Sequence, residues 1–66
     1  MKKKYYFPNG NPDAWYGSTN PVCVDYEEAD FLCREFSDPW EIPLSVENDW
    51  HEADAEEIKK YGTYDS

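Results

Sequence analysis

The sequence predicts an α+β fold: a small antiparallel sheet of two to three strands, with one main helix over about 25–37 and a short C-terminal helix over about 54–61 packed on one face. Three observations predict it. Two segments carry apolar residues at helical spacing behind capping-box signatures. One segment alternates apolar and polar residues with period two. The chain of 66 residues carries 12 aromatics (three Trp, six Tyr, three Phe), which suits a packed core better than an acidic tail.

The elements follow in order. Lys3 to Phe7 reads as a short strand stopped by Pro8-Asn9-Gly10-Asn11-Pro12, a run of turn residues. Asp13 to Gly17 reads as a return strand, and Ser18 to Pro21 as a loop. Asp25 is placed to cap the main helix, with Glu28 at capping-box spacing, and Tyr26, Ala29, Leu32, Cys33 and Phe36 fall on one stripe. Pro39 ends that helix near Ser37. Trp40, Ile42, Leu44, Val46 and Trp50 occupy even positions with polar residues or proline between them, the pattern of a long half-buried strand, with Pro43 marking an edge or a bulge. Asp54 and Glu57 form a second capping-box pair before Ala55, Ile58 and Tyr61. Lys59, Lys60 and Gly62 are suited to the helix end. One acidic domain spans 1–66, with a basic tip at 1–4 and a tail at 63–66 expected to be its flexible ends.

Charge bounds the function. Thirteen acids and one base, Arg34, fall between residues 25 and 57, and the whole chain carries a net charge of −9. A surface this negative repels nucleic acid and anionic membrane and favours a basic protein partner. So small a domain has little free energy to spare for burying a lone carboxylate, so nearly all the acids are expected in water. No apolar run fits a signal peptide or a membrane span, and the expected location is cytoplasmic. Oligomeric state is not legible from the sequence.

Chemistry is sparse. His51-Glu52 starts like a zinc-protease H-E-x-x-H, but Ala55 stands where the second histidine belongs and the chain has one histidine. Asn9, Asn11 and Asp13 imitate the start of an EF-hand loop, which then lacks its glycine and its final glutamate. Cys23 and Cys33 read as free, partly buried thiols, with a disulfide between them as the alternative. Neither a catalytic, a metal nor a cofactor site is expected, and the chain reads as no enzyme. His51 among Asp49, Glu52 and Asp54 reads either as a pH sensor or as a solvated strand residue.

Recognition is what remains. Phe31 projects away from the apolar stripe of the main helix, among Glu27, Glu28, Arg34 and Glu35. It either packs under the N-terminal segment or serves as an exposed anchor ringed by acids. The candidate partner-binding residues are Phe31, Glu27, Glu28, Glu35, Glu41, Glu47 and Asp49. The first functional reading is a non-enzymatic acidic module for a basic protein. The second is a DNA mimic that blocks a nucleic-acid-binding defence or regulatory protein.

Residues 50–65, running Trp-His-Glu-Ala-Asp-Ala-Glu-Glu-Ile-Lys-Lys-Tyr-Gly-Thr-Tyr-Asp, resemble the C-terminal end of small uncharacterised proteins of gut bacteria and their phages. There a strand ending in an aromatic residue and Glu-Ala runs into a capped Glu-Glu-Ile helix and a Tyr-Gly-x-Tyr close. The resemblance covers 16 of 66 residues and implies a phage or mobile-element context, with no activity attached.

Overall fold

The computed structural model describes residues 3–64; Met1 and Lys2 of the basic tip, and Asp65 and Ser66 of the tail, lie outside the described residues. Its elements are β1 (Tyr6–Pro8), α1 (Asp13–Tyr16), β2 (Cys23–Val24), α2 (Tyr26–Phe36), α3 (Val46–Asp49), β3 (Trp50–Glu52), α4 (Ala55–Tyr61) and β4 (Thr63–Tyr64). The α+β class is as the sequence predicts. The sheet is larger than expected and mixed: four strands in the order β3-β1-β2-β4, with β1 antiparallel to β2 and β3, and β2 parallel to β4.

Successive strand residues face opposite sides of a sheet, and that divides the core in two. Tyr6, Val24 and Trp50 join Ala29 and Cys33 of α2 and Val46 of α3 on one side. Phe7 and Cys23 join Ala53 and, from α4, Ile58 and Tyr61 on the other. The helices therefore cover both faces, which corrects the expected single helical layer. A sheet whose alternate residues are both large and apolar has no wet face, so each needs its own cover. Aromatic contacts fill both layers: Trp15 meets Trp50 edge-to-face at 5.2 Å, and Phe7 stacks on Tyr61 at 4.3 Å.

The two long helices form for the reasons the sequence offers. The Asp25 carboxylate accepts from Glu28 N at 2.8 Å at the start of α2. Asp54 and Glu57 complete a reciprocal capping box on α4. Gly62 then takes φ 80°, a left-handed conformation that costs glycine little. That turn lays Thr63 and Tyr64, expected in a flexible tail, alongside β2, with Cys23 N donating to Gly62 O at 2.9 Å.

Two expected strands are not strands. Asp13–Tyr16 is a single helical turn, α1. Asn11 Oδ1 accepts from Asp13 N at 3.1 Å, and Pro12 already has a helical φ of −63°, so the Pro/Asn signal starts a helix here. The long strand over 40–50 is replaced by a turn at 38–41, the short helix α3 and the three-residue β3. Local hydrogen bonds outcompete a ladder. Asp38 takes Trp40 N on its side chain at 2.9 Å and Glu41 N on its carbonyl at 3.0 Å. Ser45 Oγ accepts from Asn48 N at 3.2 Å, while Asp49 Oδ2 accepts from Ser45 N at 3.0 Å. Pro39 and Pro43 have no N–H to give to a strand.

Candidate docking surface

The turn leaving α2 decides what this molecule displays. Ser37 fastens its base: Oγ donates to Cys33 O at 2.7 Å and accepts from Leu44 N at 3.1 Å. The chain between these two anchors rises into solvent. Trp40 is 90% exposed and Ile42 88% exposed. Both were expected in the core on the strength of their even spacing; only Leu44, Val46 and Trp50 of that series pack inward. The signal available in the sequence was the flanking pair of prolines and the Ser45 cap, which together forbid a continuous strand.

Phe31 is 52% exposed, so it does not pack under the N-terminal segment. Residues three and four positions away on a helix are its surface neighbours, and here they are Glu27, Glu28, Arg34 and Glu35. Arg34 also pairs with Asp30 at 3.1 Å along the same helix. Phe36, half-exposed at the helix end, lies edge-to-face on Trp15 at 5.7 Å.

The other candidate residues divide by occupation. Glu27, Glu35 and Glu41 are exposed. Glu47 accepts from Tyr26 Oη at 2.6 Å, bridging α2 and α3. That bond is the leading cause holding the Glu47 carboxyl below its usual range and the Tyr26 phenol above its own. Asp49 is half-buried and engaged with Ser45 N, so it is a capping group more than a surface charge. Glu28 is half-buried beside the Asp25 cap.

Asp25 itself departs from the expectation of a solvated acid. Its side chain is 12% exposed and pairs with Lys3 Nζ at 3.1 Å. The Glu28 N–H holds the carboxyl below its ordinary value; burial acts the other way and Lys3 reinforces the lowering. Lys4 of the expected basic tip pairs with Glu52 at 3.8 Å.

His51 finds partners other than the three acids nearest in sequence. Its Nδ1 lies 2.6 Å from Asn9 Oδ1, and its Nε2 lies 2.9 and 2.8 Å from the two Glu57 oxygens. Asn9 Nδ2 turns to Asn48 O at 3.4 Å, which aims the amide oxygen at the ring. Both ring nitrogens thus face side-chain oxygens. The half-buried ring ties β3 to the start of α4. The His51 side chain is 41% exposed and partnered at both nitrogens.

Both cysteines are buried and free. Cys23 belongs to the α4 side of the sheet and Cys33 to the α2 side, so the sheet stands between them. Burial pushes the Cys23 thiol up, and Glu57 and Asp54 push it further. Burial also raises Cys33, with Asp49 and Asp30 adding and the Trp50 indole opposing. The buried Trp50 Nε1 has no hydrogen-bond partner among the described residues.

Among the described residues no group of three or more His, Cys, Asp or Glu side chains is arranged for a metal ion, and no helix is long and apolar enough to cross a membrane. No family model, curated protein or solved structure matches the chain, so the reading of function rests on the geometry alone.

Proposed function

We propose that this chain is a non-enzymatic, acidic protein-binding module that docks on a basic partner. The observation that carries it is the pairing of exposed apolar side chains, Trp40 and Ile42, with a net charge of −9. Exposed aromatic anchors supply the lasting part of an interface, and charge supplies steering and choice of partner. The thiols argue against nucleophilic catalysis. Burial and neighbouring carboxylates raise both, the reverse of an activated cysteine.

The DNA-mimic reading draws less support. Mimicry needs carboxylates segregated on one surface as a phosphate track. Here acids lie on α2 over one face of the sheet and on α4 over the other, and Lys3, Lys4 and Arg34 are paired among them. A phage or mobile-element origin, suggested by the C-terminal resemblance, is compatible with either reading.

Affinity capture on the immobilised full chain, with stepwise salt elution, tests the proposal. A basic protein released by moderate salt and not displaced by duplex DNA is the expected result. Displacement by DNA would move the reading to mimicry. Acidic or salt-insensitive partners would remove it.

A further inference from the structure

We infer that the turn over residues 38–42 is the docking tip, and that its occupant is a basic amphipathic protein surface: an apolar stripe bordered by lysine or arginine. This rests on the binding-module reading above and adds which surface docks and what chemistry it meets.

The argument starts from Trp40 and Ile42. They are two positions apart on one short excursion, each about nine-tenths exposed (90% and 88%). A large side chain left in water contributes little to folding, so its apolar area is available to a partner. Their backbone is already fixed. Asp38 closes the turn with two hydrogen bonds, Ser37 clamps its base, and Pro39 within it and Pro43 just after it restrict φ. A tip held in one shape loses less entropy on binding than a floppy segment does.

The charge around the tip selects the occupant. Asp38 and Glu41 belong to the turn itself, and Glu35 precedes it on α2; all three are exposed. A second copy of the chain would bring like charges together, and duplex DNA would bring phosphates against carboxylates. A groove or helix with an apolar stripe and cationic edges answers both halves of the tip. Phe31, on the acid-ringed side of α2, is not required by this geometry.

Two synthetic peptides of equal positive charge separate the possibilities: an amphipathic helix of leucine and lysine, and its serine and lysine counterpart. Each is titrated into the full chain at low salt. Binding is followed by titration calorimetry and by acrylamide quenching of Trp40, since Trp50 is buried and Trp15 half-buried. The leucine peptide is expected to bind about tenfold or more tightly than the serine peptide, the scale of a working aromatic anchor, and to shield Trp40 from quencher. W40A and I42A should each erase most of that preference while leaving charge-driven binding intact; F31A should leave it unchanged. All three substitutions sit at exposed positions, so circular dichroism and melting should match the parent chain. Equal binding of the two peptides, or a preference that survives W40A, overturns this proposal and leaves the wider module reading standing. Absence of binding by either peptide removes both. Shielding of Trp40 by zwitterionic phosphatidylcholine vesicles, or a concentration-dependent dimer that W40A abolishes, identifies a different occupant and also overturns it.

Discussion

Asp25 sits where α2 begins, with Glu28 N 2.8 Å from its carboxylate and Lys3 Nζ at 3.1 Å. Its carboxyl is held below the ordinary range, chiefly by the Glu28 N–H. A depressed acid stabilises the fold above the unfolded carboxyl value of about 3.9, and that stabilisation is lost as pH falls through the folded value. Asn is as good a cap as Asp. D25N should therefore keep α2 but flatten the acid limb of a stability–pH curve measured by urea unfolding. D25A should cost about 1–2 kcal/mol near neutrality, the usual loss for a helix cap. An acid limb unchanged in D25N would place the acid sensitivity elsewhere.

Tyr16 governs the opposite end of the pH scale. Burial, followed by Cys23 and Glu28, pushes its phenol up to about 12, while its hydroxyl donates to Val22 O. A raised phenol stabilises the fold below the unfolded value of about 10, and that stabilisation disappears as pH climbs through the folded value. The raised thiols of Cys23 and Cys33 act in the same direction from a lower starting pH. Alkaline unfolding of Y16F should show a shallower loss of stability above about pH 10, with a neutral-pH penalty of about 1 kcal/mol for the hydrogen bond. An equally steep alkaline limb would assign it to the thiols and the raised Tyr26 phenol.

Among the elements, the turn between α2 and α3 is the piece on which the proposed function depends. Ser37 holds it with one hydroxyl bonded at 2.7 Å to Cys33 O and at 3.1 Å to Leu44 N. S37A removes both bonds, at about 1 kcal/mol apiece, while Trp40 stays in water as before. The expected result is a small drop in melting temperature together with faster hydrogen exchange at the Leu44 amide. Unaltered exchange there would mean the prolines alone hold the turn. This element also shows what a period-two reading misses. Trp40, Ile42, Leu44, Val46 and Trp50 alternate like a strand, yet the Asp38 and Ser45 side chains offered the backbone closer partners than any neighbouring strand did. The turn lifts Trp40 and Ile42 off the core, and the α3 cap returns Val46 and Trp50 to it.

For the whole molecule, charge imbalance dominates. Fifteen acids oppose six lysines and arginines, and the pairs Lys4–Glu52 and Arg34–Asp30 are largely exposed, where ion pairs contribute little. Screening should therefore help more than it harms. Moderate sodium chloride is expected to raise the melting temperature, as differential scanning calorimetry would record. A lower value would show that Lys3–Asp25 and the His51–Glu57 contact outweigh the general repulsion.

The sequence by itself determined the α+β class, α2 with its Asp25 cap, α4 with its Asp54–Glu57 box, and the dense negative charge. Each depends on residues within a few positions of one another, so local physics is enough. Tertiary structure decided that β4 pairs with β2, that helices cover both faces of the sheet, that Asp25 is buried against Lys3, and that His51 bridges Asn9 and Glu57. These rest on partners distant along the chain. The same limit hid the docking tip: apolar spacing says that a side chain would gain by burial, and only the packed fold says whether a surface is there to bury it.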